Sequence, residues 1–290
     1  TGKVDTVPWS DLSGESVSRL VQLTIDSKKA DDCLAAALLA LAVKDATLAA
    51  RYFDEARAKG LSVDPHIGPL AAAVMARAEQ LLEQAKLKQA DRMLDDLEQK
   101  YGSTPWFAAH QPLFDVCRKK VRSAIFESEA EKLYSEAAEL FTQKEFFELK
   151  PIVEKLKTDY ATSRPVTDET RKPPFAELEK GTSNLGKRLI VRQDGKGDCI
   201  TIQAAIDAAA PNSLIEIHDN GPYNEKITVD SEDGLTIRGK KGYWPVITSV
   251  GPTTNFPFLV DVSATRVTLE RLVLVHGGAA GASVYCIRSQ

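Results

Sequence analysis

Residues Arg188–Gly239 read RLIVRQDGKGDCITIQAAIDAAAPNSLIEIHDNGPYNEKITVDSEDGLTIRG. The short apolar run Arg188–Val191 is followed by Asp194-Gly195 and Gly197-Asp198, which mark a turn. Thr201 suits a helix N-cap, and Ile202, Ala205, Ile206 and Ala209 follow at helical spacing. Pro211-Asn212 stops that helix. Leu214, Ile215 and Ile217 then form a strand too apolar for exposure on both faces. Asp219-Asn220-Gly221-Pro222 is a turn. Ile227 and Val229, then Leu235 and Ile237, alternate as strands with one buried face do.

Short strands continue at Val246-Ile247, Phe258–Val262, Val267–Leu269, Leu272–Leu274 and Tyr285–Ile287, with Gly, Pro, Asn or Ser between most of them. Strands this short cannot each bury a face alone. Stacking them in parallel, each layer covering its neighbour, solves the problem, and the helix after Thr201 would then cap the open first layer. A small antiparallel sandwich is an alternative that strand spacing alone leaves open.

The segments DGKGDCITIQAAIDAA, LIEIHDNGPYNEKITV and LTIRG resemble the entry segment of pectinesterase-like and pectate-lyase-like proteins. Their fold is a right-handed parallel β-helix. In that superfamily the tyrosine of the turn packs under the next coil and the glutamate after it meets backbone or a neighbouring side chain. The resemblance therefore implies a structural part for Tyr223 and Glu225. Gly221-Pro222-Tyr223 departs from the usual Pro-Gly-Thr-Tyr. The superfamily's catalytic aspartates and arginine sit on later coils, so no residue of this chain inherits those roles. A narrower resemblance, carried by IEIHDNGPYNEKITV and LTIRGKKGYWPVI, is to the region after the kinase domain in Ser/Thr protein kinases of planctomycete-type bacteria.

Upstream, the periodicity is helical. Ser13 or Ser16 caps a first helix, Asp31-Asp32 opens a second, and Asp45 caps a third that ends at Gly60. Further helices are expected over Leu70–Gln84, Gln89–Lys100, Gln111–Phe126, Ser128–Thr142 and Lys144–Asp159, with Pro151 placed to kink the last. Three second helices share one pattern: Ala49, Phe53, Ala56; Ala90, Leu94, Leu97; Leu149, Val153, Leu156. Twelve residues before each first position stands an alanine: Ala37, Ala78 and Ala137. The pattern resembles the tetratricopeptide repeat, in which small residues let two antiparallel helices pack closely.

The expected fold class is thus an α + β two-domain chain. An irregular antiparallel helical-repeat domain is followed by the first coils of a right-handed parallel β-helix, truncated. The expected domains are 1–12, a tail; 13–162, helical repeats; 163–187, a Pro-rich linker with a short helix at Phe175–Lys180; and 188–290, the β-helix coils. The chain begins without Met and stops within its strand pattern, which reads as a piece of a longer protein.

With 37 basic and 41 acidic residues the formal net charge is −4, which argues against a general nucleic-acid binder. The longest apolar run, Cys33–Val43, is shorter than the ~18–20 residues a spanning helix needs. Cys33, Cys117, Cys199 and Cys286 lack ligand spacing, as do His66, His110, His218 and His276. His66 and His110 read as loop residues. Asp261 and Glu270 read as outward strand positions, and the glycine-lysine loops at Gly195 and Gly239 as turns.

No catalytic residue, metal ligand or cofactor is expected. His218, beside Asp219 at a strand end, Tyr223 and the aromatic Trp244 are the ligand-contact candidates. The expected function is a non-catalytic binding or scaffolding region, carbohydrate- or peptide-sensing, of a larger bacterial protein, a membrane-anchored Ser/Thr kinase. Its partners would be a polysaccharide, or a protein or peptide held by the helical repeats, with an extracytoplasmic location favoured. The alternative is the N-terminal part of a pectinesterase or polysaccharide lyase whose catalytic coils lie beyond residue 290.

Overall fold

The computed structural model describes residues 13–230, 233–249, 258–276 and 285–289. The expected tail Thr1–Asp11 lies outside the described residues, as do the side chains of Phe258, His276 and Cys286. The chain is of the α + β class and divides into two compact units, Thr1–Glu129 and Ala130–Gln290.

The first unit holds α1 (Gly14–Thr24), α2 (Ala30–Ala42), α3 (Ala46–Ala58), α4 (Ile67–Glu83), α5 (Leu87–Tyr101) and the beginning of α6 (Pro105–Thr142). Ser13 caps α1 through the amide of Ser16, and Asp45 caps α3 through that of Leu48. Three-residue turns make α2 and α3, then α4 and α5, antiparallel neighbours. Ala37 and Ala78 are fully buried where the paired helices meet, and Ala49, Phe53, Ala56, Ala90, Leu94 and Leu97 are buried with them. A methyl group at these points lets two helix backbones approach to contact, which a longer side chain would prevent.

One turn geometry occurs three times. Lys44, Ala85 and Lys144 have φ of 62°, 57° and 60°. Each donates its amide to the carbonyl three residues back, and the next residue donates to the carbonyl five back (Asp45 to Ala40 at 2.9 Å, Lys86 to Leu81 at 2.8 Å, Glu145 to Leu140 at 2.9 Å). This left-handed helix stop satisfies carbonyls that a helix end leaves open. The turns are 41 and 59 residues apart, matching the spacing of the apolar pattern.

The two helices expected over Gln111–Phe126 and Ser128–Thr142 are one, α6. Between them no Gly or Pro interrupts Glu127-Ser128, and the helix starts earlier, at Pro105, where Thr104 receives the amide of Phe107. His110 therefore lies within α6 rather than in a loop, stacked on Trp106 at a centroid distance of 4.3 Å.

In the second unit, the end of α6 pairs with α7 (Phe146–Asp159), which runs on through Pro151. Leu149, Val153 and Leu156 are buried with Ala137. The Pro-rich segment expected as a linker carries α8 (Arg164–Thr167) and α9 (Phe175–Ser183). Phe175 and Leu178 are buried against α7 and Tyr134.

The strands are β1 (Arg188–Val191), β2 (Leu214–Ile217), β3 (Tyr223–Asn224), β4 (Ile227–Val229), β5 (Thr236–Gly239), β6 (Val246–Ser249), β7 (Phe258–Val262), β8 (Thr268–Glu270), β9 (Val273–His276) and β10 (Tyr285–Ser289). They form three parallel sheets, ordered β1-β2-β5-β8, β3-β6-β9 and β4-β7-β10. From β2 onward the chain visits the three sheets in rotation, so each strand pairs with the one three places earlier. Every described strand pairing is parallel, which removes the antiparallel sandwich. Register stacks Ile215 on Ile237 and Leu269, and Tyr223 on Ile247 and Leu274, forming one apolar interior.

Helix α10 (Ile202–Ala208) closes one end of that interior with Ile202, Ala205 and Ile206. Thr201 caps it, and the Glu225 carboxylate receives the amides of Ile202 and Gln203, each at 2.9 Å. The Gln203 amide group pairs with the backbone of Thr228 on β4, accepting at 2.8 Å and donating at 3.1 Å. Gly195 needs its left-handed φ of 75°, and a Cβ on Gly197 would lie 2.5 Å from the Ile190 carbonyl, so both glycines serve a turn.

Candidate functional site

His218, Tyr223 and Trp244 do not form a common site. Strand β2 is buried on both faces. Leu214 and Glu216 point away from the interior that holds Ile215 and Ile217. Two residues on, His218 shares the side of Glu216, and its Nε2 lies 2.7 Å from Glu216 Oε2. Tyr223 is turned into the interior and 2 % exposed. Burial, with Asp219 beside it, pushes its hydroxyl pKa up. Trp244 is 59 % exposed on the turn between β5 and β6, where its amide donates to Asn220 Oδ1 at 2.9 Å.

Around Glu216 the outer side of the β1-β2-β5-β8 sheet carries an ion cluster centred on the buried Glu216 and Arg238. Register places Arg238 directly beside Glu216, and Glu270 beside Arg238. Arg238 donates to Glu216 Oε1 from Nη2 at 3.0 Å and from Nε at 3.2 Å; Arg188 Nη2 donates to Oε2 at 2.7 Å. From α7 and the turn before it, Glu148 accepts from Arg238 Nη2 at 2.8 Å and Glu145 accepts from Arg238 Nη1. Burial alone would raise the Glu216 pKa. The donors Arg188, His218 and Arg238 outweigh it and bring the pKa from 4.5 down to about 2. The cluster thus fixes Glu216 as an anion and links α7 to the sheet through Arg238. The sequence carried one local signal of it, since residues 216 and 218 fall on the same side of a strand.

Glu225, read as structural, holds the first turn of α10. Glu270 is an outward position with a half-exposed side chain, and Asp261 is likewise on the outer side of its strand. Cys33, Cys117 and Cys199 are free thiols, and among the described residues no group of three or more His, Cys, Asp or Glu is placed to hold a metal ion.

The first unit carries a different kind of site, which the sequence reading did not single out. A cleft of about 340 Å³ opens between α3, α4 and α5. Leu70, Val74, Met93 and Leu97 supply an apolar floor. Arg51 and Asp54 come from α3, and Asp96, Lys100 and Tyr101 from α5. At one end Lys100 Nζ reaches Asp54 Oδ2 at 2.6 Å, and the Tyr101 hydroxyl donates to Asp54 Oδ1 at 3.1 Å. Burial and Asp54 push the Tyr101 pKa up, which keeps that hydroxyl a donor. This is a formed, half-open apolar slot with polar rims, the arrangement that accommodates side chains of a ligand. Its signal lay in the helical phase of Met93 and Leu97 with Asp96 and Lys100, legible only once α3 and α5 are known to be neighbours.

Among the described residues no helix is long and apolar enough to cross a membrane. No protein-family model, curated protein or solved structure matches this chain.

Proposed function

We propose that the chain is a non-catalytic binding and scaffolding region that holds a peptide segment of a partner protein on its helical repeats. The observation that carries this reading is a contrast within the molecule. The charged side chains of the strand region that most resemble a reactive constellation, Glu216, His218, Arg188 and Arg238, are engaged with one another, Glu216 and Arg238 buried and Arg188 exposed at the margin. The helical unit leaves an apolar cleft open to solvent. On this reading residues 13–162 are degenerate tetratricopeptide-like repeats and 188–290 are the first coils of a right-handed parallel β-helix. The rotation of successive strands through three parallel sheets, and the α10 cap over the interior, support the β-helix. The thrice-repeated turn at 41- and 59-residue spacing supports the repeats. The resemblance of Ile215–Ile247 to the segment that follows certain bacterial kinase domains supports an extracytoplasmic place in a membrane-anchored Ser/Thr kinase.

The test is an array of defined peptides and glycans probed with the purified full chain, alongside turnover assays on pectin-like polymers. Saturable peptide binding without turnover is the expected result. Turnover of polymer, or binding confined to glycans, would overturn the reading.

A further inference from the structure

The charges on the rim of the α3–α5 cleft are unequal in how far they are engaged. On α5, Asp91 and Asp95 are taken up by Arg122 and Arg118 of α6, and Lys100 is bridged to Asp54 across the slot. Asp96, on the same helix and lining the cleft, is exposed and has no hydrogen bond or ion pair among the described residues. On the opposite wall Arg51 is half exposed. Its guanidinium lies over the Tyr52 ring at 4.6 Å and approaches Glu55 only to 3.7 Å. Arg51 and Asp96 carry opposite charges, line one slot and do not bridge it, although Lys100 and Asp54 do so at its end. An apolar floor separates them.

Resting on the peptide-binding reading above, we propose that this cleft takes a segment of a partner protein with a stated polarity: one aliphatic or methionine side chain flanked by an acidic and a basic residue. The apolar side chain packs on Ala50 and Met93, the half-buried apolar residues of the lining, above the buried Leu70 and Val74. The acidic group meets Arg51, where the fixed fork favours a carboxylate, and the basic group meets Asp96. The Lys100–Asp54–Tyr101 bridge closes one end, so the segment enters from the side of Thr47 and Gln89. Both rim charges are solvent-facing, so pairing with a ligand sets orientation and selectivity more than gross affinity.

The experiment is fluorescence polarisation of the full chain against capped octapeptides with a central Leu or Met, in four sets: acidic and basic flanks together, acidic alone, basic alone, and neutral. The mixed-charge set should bind about tenfold more tightly than the neutral set at low salt, a preference that narrows as salt is raised. Arg51→Glu should lower affinity for acid-bearing peptides and Asp96→Lys for base-bearing ones, each leaving the neutral set unchanged. Circular dichroism of both variants checks that the surface changes leave the helices intact, and Arg51→Gln with Asp96→Asn gives a milder pair. Charge-blind peptide binding, or variants without effect on the charged sets, would overturn this inference while leaving the peptide-binding reading standing. Failure of all four sets to bind would overturn both.

Discussion

Arg238→Met tests the buried cluster most directly. Arg238 is 9 % exposed at its side chain and joins Glu216 of β2 to Glu145 and Glu148 beside α7. The substitution keeps an unbranched side chain of similar length and removes the charge. Glu216, 3 % exposed, then keeps Arg188 and His218 but loses the donor that its strand neighbour supplies. Its pKa is held at about 2 against an ordinary 4.5 by three donors, of which Arg238 is one. Breaking a buried pair by deleting one partner costs about 3–5 kcal/mol. The effect is local to the cluster, so the measurement is hydrogen exchange of the β2 and β5 amides. At pH 7 their protection should fall about a hundredfold. Because the folded pKa is depressed, the stabilisation is complete above pH 4.5 and is lost as pH falls toward 2, so the gap between wild type and variant should close over that window. Glu216→Met with Arg238→Met should cost less than the two single changes added. A single variant within fivefold of wild type, or a gap that stays constant down to pH 2.5, would contradict this account of the cluster.

Other outcomes follow from the same geometry. Ala85→Gly relieves a left-handed backbone at φ 57° and should stabilise the first unit by about 0.5–1 kcal/mol in urea unfolding, whereas Ala85→Val should destabilise it. Glu225→Ala removes the carboxylate that receives two α10 amides and should cost about 1–2 kcal/mol, read as faster exchange at Ile202 and Gln203. Ala78→Leu inserts bulk at a fully buried helix contact and should lower stability by about 1–3 kcal/mol, seen as an earlier thermal loss of ellipticity. Trp244→Ala, at an exposed turn, should stay within about 0.5 kcal/mol of wild type in the same melt.

Periodicity made the elements legible wherever burial is decided locally. The alternation of Ile227 with Val229 and of Leu235 with Ile237 marked strands with one buried face, and the alanines at 37, 78 and 137 marked where helices touch. The helix boundary expected near Glu127 was misplaced because no residue there stops a helix, and neither Ser128 nor its neighbours compete strongly with helix bonds. The long-range partners were out of reach. Arg238 meets Glu145, 93 positions away, and nothing in either local pattern specifies the other. His218 looked available because only its sequence neighbour Asp219 was visible, while the carboxylate it faces lies two residues back on the same strand side. The cleft has no local signature for a similar reason: its walls belong to helices far apart in sequence, each with an ordinary amphipathic pattern.

The α10 end of the strand stack has a consequence for assembly. A parallel strand recruits another by offering it free amides and carbonyls. Here the outer edge of β4 is answered by the Gln203 side chain, and Ile190 of β1 by Asp198 and Cys199. A foreign chain arriving at this end meets donors and acceptors already matched at Thr228 and at Ile190. Templated growth of the kind that builds fibrils needs a growing face and a receiving face on every subunit. With α10 and its flanking loop in place, this end offers such growth fewer free edge groups than a bare first layer would, through a glutamine side chain and a seven-residue helix.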